Sequence, residues 1–305
     1  MSNEIFYKYI TPSTAKHIFG HVDDEGKDVL GNLSLKIDTP QSFNDPFDCC
    51  IPKLDIKINI YDMFIKSVGK AFDIPKEHQN EIFRQGKLKT NKEFFQVVNS
   101  GLNDVRDGWD ELTMQYRVLC LTVKNNNILM WSHYAKNHEG LVLGFNFKGD
   151  KKYDGIKKVD YSLKQAEKME RMIKIGIKTV IHHLSSHPKG FDYAFAQIDK
   201  VLDSDQLDEV VKKYILRNLE PFFFIKKNIW SYEEEYRLVK FREEYPNKLI
   251  NFSIESLVEV IFGVRASEET ITNTMGFLKK LGFKGKAFKA CRVNGELSVK
   301  HKRLE

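Results

Sequence analysis

The sequence predicts an α+β protein, with short apolar strands towards both ends of the chain and two long helical segments between them. Short runs of alternating or continuous apolar residues, bounded by Gly, Pro or Asn, indicate the strands. Apolar residues at helical spacing fill about residues 57–115 and 163–221, and we predict both segments to be insertions in one domain spanning 1–305. A 305-residue chain that is 42% hydrophobic can bury a core of this size.

The remaining elements follow in order along the chain. A helix that runs through Ile18, with Ser13 or Thr14 as its N-cap, follows the first strand, and a short helix carries the motif WSHY. The last helix has Ser267 as its N-cap and Gly282 beyond its end. The strand predicted over residues 116–124 is almost continuously apolar, which predicts a central place in the sheet. The predicted strands cover residues 5–10, 32–40, 116–124, 141–147, 159–162, a run from about residue 236, 256–263 and 286–293.

The stretch FIKKNIWSYEEEYRLVKF, residues 224–241, contains the most unusual pattern. Side chains alternate between the faces of a strand, so Glu233, Glu235 and Arg237 are predicted to share one face. A solvated edge strand, in which Glu235 and Arg237 screen each other, is one interpretation. The other is a catalytic carboxylate held beside a second polar group.

Two further motifs supply candidate ligand-binding groups. The sequence SFNDPFD predicts a turn at Asn44 and Asp45, which either is structural or lines a pocket. In the helix motif WSHY, Trp131, Ser132 and His133 offer a flat ring and polar donors. Burial of Trp131 in the core, with His133 bonded to a carbonyl, is the alternative.

Charge is concentrated in residues 284–303, which hold seven Lys and Arg residues against Glu296 and so account for the net charge of +6. Aromatic residues, Phe283 and Phe288, interleave with these cations. Such a segment binds phosphate backbones or forms a solvated surface strand with a frayed terminus, and charge alone does not distinguish the two.

Several classes of protein are disfavoured by the sequence. We expect no secretory leader and no membrane span, because no long apolar run is present. The four cysteines lack CxxC spacing, which is typical of a reduced, cytoplasmic protein. His183 and His187 are four residues apart but have no acid or cysteine at ligand spacing, so no metal site is predicted.

Four motifs together carry a family resemblance: YKY at Tyr7–Tyr9, FNDPFD, MWSHYAKNHEGLVLGF and KKNIWSYEEEYRLV. In this order they resemble a bacterial domain-of-unknown-function family over about residues 5–265. The family is similar to divergent ADP-ribosyltransferases of phage-defence toxin systems. The resemblance implies a mixed or antiparallel split sheet, NAD as substrate, transfer to nucleic acid, RNA in particular, through a basic surface that includes 284–303, and a possible antitoxin partner.

The resemblance also assigns roles to residues. Departure of nicotinamide gives the ribose C1′ oxocarbenium character, which a carboxylate stabilises. Glu235 is the predicted catalytic acid, with Glu233 orienting the ribose or the acceptor. The early strand has Lys8 where familiar relatives have an arginine or histidine. The residues predicted to bind NAD are Lys8, Tyr9, Asn44, Asp45, Trp131, Ser132, His133, Tyr134 and Arg237.

Two other functions remain open at the level of sequence. Asp45, Asp48, Glu233 and Glu235 with Lys8 would suit a Mg²⁺-dependent nuclease. A non-catalytic module that binds nucleic acid or a protein partner would use the basic terminus and aromatic faces, but it leaves the two glutamates unexplained.

Overall fold

A computed structural model describes residues 4–50, 60–71, 73–78, 108–162, 171, 174–175, 220–293 and 296–303. Over these residues the protein is α+β with a mixed sheet, as the sequence predicts. The helices are α1 (Pro12–Phe19), α2 (Ile60–Ala71), α3 (Trp109–Met114), α4 (Ile128–Tyr134) and α5 (Glu268–Lys280). The strands are β1 (Phe6–Ile10), β2 (Gly20–Val22), β3 (Asp28–Leu30), β4 (Ser34–Lys36), β5 (Tyr116–Thr122), β6 (Leu141–Phe145), β7 (Lys157–Lys158), β8 (Glu235–Phe241), β9 (Leu249–Asn251), β10 (Leu257–Phe262), β11 (Lys286–Val293) and β12 (Glu296–Arg303).

The chain divides into two compact units. The first consists of Met1–Asp48, Thr113–Tyr161 and Lys226–Glu305, and the second of Cys49–Leu112 and Ser162–Ile225. Within the second unit, the Trp109 indole N–H donates to the Cys49 carbonyl, and the indole packs against Phe222 and Phe223. Most of the two predicted insertions, including His183 and His187, lies outside the described residues, and the single-domain assignment stays a prediction.

The first unit is built on an eight-stranded sheet with the order β12-β11-β10-β6-β1-β5-β8-β7. Its pairs are antiparallel except β10 with β11, which are parallel and connected through α5. Strand β5 lies inside the sheet, which confirms its predicted central place. A single pair of partners, Tyr7 opposite Thr122, joins β1 to β5.

Both faces of this sheet are covered, as the alternation along β6 makes clear. Leu141, Leu143 and Phe145 belong to the larger apolar cluster, which also contains residues of α1 and α5. Val142 points into a second cluster with Trp131 and Met130 of α4. A strand covered on both faces reads as a continuous apolar run, which is why LVLGF does not alternate in sequence.

Several element ends differ from the predictions. Thr11 rather than Ser13 or Thr14 caps α1, since its hydroxyl accepts a hydrogen bond from the Thr14 N–H. Strand β8 begins at Glu235, after a 3-10 helix over Asn228–Glu233. The predicted strand over 159–162 is instead the two-residue β7. Four strands, β2, β3, β9 and β12, were not predicted, because they are short or strongly charged.

Candidate active site

A cavity of about 320 Å³ opens in the first unit beside the single β1–β5 residue pair. Strands β1 and β5 are joined only at Tyr7 and Thr122, and residues on either side of that pair form the walls of the cavity. The lining includes Tyr7, Lys8, Tyr9, Thr11 and Thr14 from the start of the chain, Lys36, Asp38, Phe43, Asn44, Asp45 and Asp48 from the following segment, Cys120 and Thr122 from β5, and Tyr134, Lys226, Trp230, Glu233 and Glu235.

One wall of the cavity carries a group of buried charged side chains, which we call the ionic cluster: Asp48, Lys226, Glu233, Glu235 and Arg237. Arg237 itself does not line the cavity but lies behind it. None of the five residues is more than 7% exposed. Three acids and two bases leave a formal charge of −1. Buried charges of this kind persist only when they are paired and hydrogen-bonded.

Arg237 binds two carboxylates at once. Its Nη1 and Nη2 donate to the two oxygens of Asp48 at 3.0 and 2.6 Å. Its Nε and Nη2 donate to the two oxygens of Glu235 at 2.8 and 2.9 Å. Both contacts are bidentate, a geometry that the planar guanidinium allows and an ammonium does not.

Lys226 lies among all three acids of the ionic cluster. Its Nζ is 2.6 Å from Glu233 Oε2, 3.1 Å from Glu235 Oε2 and 3.4 Å from Asp48 Oδ2. The other oxygen of Glu233 accepts a hydrogen bond from the Tyr134 hydroxyl at 2.7 Å. An ammonium thus occupies the position between the carboxylates that a divalent cation would take.

The backbone conformation at Glu234 places the side chains of Glu233 and Glu235 in the same site. Glu234 adopts a left-handed conformation with φ of 41°, between the 3-10 helix and β8. The Thr122 hydroxyl donates to the Glu233 carbonyl, and the Tyr161 hydroxyl accepts from the Glu235 N–H. Although the chain is not an extended strand before Glu235, both carboxylates still converge on Lys226.

Electrostatics keep Glu235 and Lys226 charged. Burial opposes ionisation of Glu235, but the charges of Arg237 and Lys226 outweigh it and lower the pKa of the carboxyl to about 2. Burial likewise opposes protonation of Lys226, yet the pKa of this ammonium is raised by Glu235, Asp48 and Glu233. Burial and the nearby Glu233 charge raise the pKa of Tyr134, so its hydroxyl stays a donor.

The two glutamates differ in how many of their lone pairs are in use. A carboxylate has about four acceptor sites. Glu235 accepts twice from Arg237 and once from Lys226. Glu233 accepts once on each oxygen, from Tyr134 and Lys226. Of the pair, Glu233 therefore retains more acceptor capacity for a ligand.

The structure brings several of the sequence-predicted residues to this cavity. Lys8 lines it and donates from Nζ to the Cys120 carbonyl at 2.8 Å. Tyr9 lines it as well, with its hydroxyl donating to the Lys124 carbonyl at 3.0 Å. Asn44 and Asp45 also contribute to the wall. Their roles towards NAD stay predictions.

Trp131, Ser132 and His133 are not among the lining residues. Trp131 has no exposed surface, and its indole packs edge-on against Tyr9 and donates to the Asn125 carbonyl. Ser132 donates to the Ile128 carbonyl, and His133 is exposed on α4. The predicted stacking of a ligand on Trp131 does not agree with its position, because the apolar indole is more stable in the core.

Sequence reasoning left Asp48 and Lys226 out of the predicted NAD site. Asp48 is 189 residues from its partner Arg237, so nothing local in the sequence marks the pair. Lys226 carries a weak signal, since it directly follows the apolar run Phe222–Ile225 and is itself buried. A lysine adjoining such a run is rarely buried without an acidic partner.

The basic segment is only partly described. Strand β11 contains Lys286, Lys289 and Arg292, and Lys289 pairs with Glu268 at 3.0 Å. Strand β12, the outermost strand of the sheet as described, pairs antiparallel with β11, with Arg303 opposite Phe288. Residues 296–303, part of the segment for which a surface strand with a frayed terminus was one alternative, form β12 through backbone pairing with β11.

Taken together, these features define a mixed α+β protein with an acid-lined cavity. The model of a family described as a protein of unknown function, DUF2971, matches residues 130–238. The match fits the expected domain-of-unknown-function family, and it includes Tyr134, Lys226 and β8 up to Leu238 but not β1 or Asp48. No curated protein and no solved structure matches the chain. In the part of the chain that the structure describes, no helix is both long and apolar enough to cross a membrane.

Proposed function

We propose that the protein is an enzyme that binds NAD as a substrate in this cavity and transfers its ADP-ribosyl group, releasing nicotinamide. The observation that carries the proposal is Glu233, a buried carboxylate at the cavity wall that keeps lone pairs free. The cavity volume of about 320 Å³ is in the range of small-molecule sites, and the rings of Tyr9, Phe43 and Trp230 offer apolar surface in it.

The hydrogen-bond pattern favours an exchange of the roles inferred from the sequence. Glu233 contacts the ribose and stabilises positive charge at C1′, with Tyr134 and Lys226 fixing its orientation. Glu235, which accepts three hydrogen bonds from Arg237 and Lys226, is a positioning residue that holds Lys226 in place. Lys8 and Tyr9 bind other parts of the substrate.

The reaction proceeds in two steps. The bond between the ribose C1′ and the nicotinamide nitrogen breaks, the electron pair goes to nitrogen, and an oxocarbenium ion remains. An acceptor hydroxyl oxygen then bonds to C1′, and its proton passes to Glu233, which returns it to solvent. A preorganised carboxylate stabilises the charge that develops at C1′ without further reorganisation.

The acceptor that we propose is a nucleic acid, RNA in particular, and the setting is a toxin of bacterial phage defence that an antitoxin restrains. The cations of the basic segment, residues 284–303, support a polyanionic acceptor. A non-catalytic binding module is the weaker alternative because it does not explain why two glutamates are buried at the cavity wall. A Mg²⁺ nuclease is weaker too, since Lys226 already lies between the acids and, over the described residues, no group of three His, Cys, Asp or Glu is arranged to hold a metal.

The test is turnover of adenine-labelled NAD by purified protein in the presence of cell RNA, DNA and protein, with nicotinamide release measured in parallel. We expect Glu233→Gln to keep the fold and to lower release about a hundredfold or more. Glu235→Gln should lower both release and thermal stability, because a neutral amide then faces Arg237 and Lys226. Glu25→Gln, the same chemical change on an exposed residue, is the control.

Each outcome of this assay decides something definite. Label on one polymer class, lost in Glu233→Gln and kept in Glu25→Gln, supports transfer and identifies the acceptor. Equal release by wild type and Glu233→Gln would refute the role of Glu233. Absence of NAD turnover in all conditions, together with Mg²⁺-dependent cleavage of nucleic acid, would favour the nuclease.

A further inference from the structure

A second concave surface lies in the first unit, away from the residues that line the cavity. It runs between the C-terminal part of α5 and the end of the sheet where β11 begins and β12 ends, and we call it the α5 groove. Its volume is about 800 Å³. The residues that line it are Met275, Gly276, Leu278, Lys279, Phe283, Gly285, Lys286, Ala287 and Arg303.

The charges in the α5 groove are of one sign. Lys279, Lys286 and Arg303 are exposed cations, and no acidic residue is among those that line the groove. Over the described residues, none of the three forms an ion pair with an acid. This differs from neighbouring cations, since Lys280 pairs with Asp28 and Lys289 with Glu268. Uncompensated cations of one sign favour a polyanion.

The floor of the α5 groove is apolar. Met275 and Phe283 are half-buried and present a flexible thioether and a ring. Gly285 lets the Phe283 ring pack against the backbone at this floor, because a Cβ there would lie 2.4 Å from the Val258 carbonyl and 2.5 Å from the Phe283 ring. Cations beside an aromatic and apolar floor are the arrangement by which proteins bind single-stranded nucleic acid, through phosphates and unstacked bases.

We propose that the α5 groove binds single-stranded nucleic acid, with Lys279, Lys286 and Arg303 contacting phosphates and a base packing on Phe283 and Met275. Duplex binds less well, because its bases are already stacked and cannot reach the floor. This inference extends the proposed function by giving the acceptor a docking surface. Binding itself requires neither NAD nor Glu233, so the two proposals are tested separately.

The experiment is fluorescence anisotropy of a labelled 12-nucleotide RNA titrated with the full chain at several salt concentrations, without NAD. The groove variant carries Lys279→Gln, Lys286→Gln and Arg303→Gln. The matched control carries Lys27→Gln, Lys136→Gln and Lys151→Gln, which removes three exposed positive charges elsewhere. We expect the groove variant to bind about tenfold or more weakly and its salt slope to fall by about two, because each lost phosphate contact removes about 0.7.

The apolar floor is tested with Phe283→Leu, which keeps an apolar side chain and removes the ring. We expect single-stranded RNA to bind about fivefold or more weakly to this variant while the salt slope stays unchanged. Circular dichroism of each variant reports whether the fold is intact. A duplex of the same sequence should bind more weakly than the single strand.

Three results would overturn the inference. These are no RNA binding by wild type at low salt, equal weakening by the control variant, or a groove variant that binds as wild type does. Duplex binding as tight as single-strand binding would remove the role of the floor. RNA binding that depends on the groove, without NAD turnover, would leave this inference standing and refute the proposed function.

Discussion

Glu235 and Asp38 are two carboxylates on the same cavity that each lie between two cations, yet their surroundings differ. Glu235 binds Arg237 and Lys226, whose side chains are 0% and 7% exposed. Asp38 binds Lys36 at 2.7 Å and Lys248 at 2.9 Å, whose side chains are 67% and 45% exposed. For both acids the neighbouring cations outweigh burial and lower the pKa. We therefore expect similar pairing to have different energetic weight, because water and salt screen the exposed lysines at Asp38 more than the buried cations at Glu235.

The largest expected effect comes from removing the buried cation of this comparison. Arg237→Leu leaves Asp48 and Glu235 without four of their hydrogen bonds, at a site where both carboxylates are buried. We expect the free energy of unfolding, measured in urea, to fall by about 3–5 kcal/mol. The counterpart Lys248→Leu at Asp38 should cost less than about 1 kcal/mol. Similar decreases in the free energy of unfolding for the two variants would contradict the expected difference between the buried and the exposed cation.

An intermediate effect is expected in acid. The folded pKa of Glu235, about 2, lies below its ordinary value of 4.5, so its contribution to stability is present above pH 4.5 and lost as pH falls towards 2. Glu235→Gln should therefore be less stable than wild type at pH 7 and show a flatter decline in acid. Urea unfolding at a series of pH values measures this, and parallel curves for the two proteins would contradict it.

The smallest expected effect is at the exposed pair. Asp38→Asn should change the free energy of unfolding by less than about 1 kcal/mol, because Lys36 and Lys248 remain solvated. The difference from wild type should vanish in about 1 M salt, where the Debye length is about 3 Å. Unfolding curves with and without salt test this, and a difference that persists in salt would mean that Asp38 belongs with the buried charges.

The fold and part of the candidate site could be predicted from the sequence because both depend on short-range patterns. Apolar runs placed β5, β6 and β10, and the spacing of Glu233, Glu235 and Arg237 indicated that they act together. The short strands β2, β3 and β9 lack such a signal, since pairing with another segment orders three residues that would not form a strand alone.

What the sequence alone determined is therefore local: which segments are apolar, that Ser267 caps α5, and where charges concentrate. Only the tertiary structure brought Asp48 to Arg237 across 189 residues, buried Trp131 rather than leaving it for a ligand, and left Glu233 with more free lone pairs than Glu235. Periodicity reports one segment at a time. Burial and charge pairing depend on which distant segments come into contact, and a short sequence pattern does not specify those contacts.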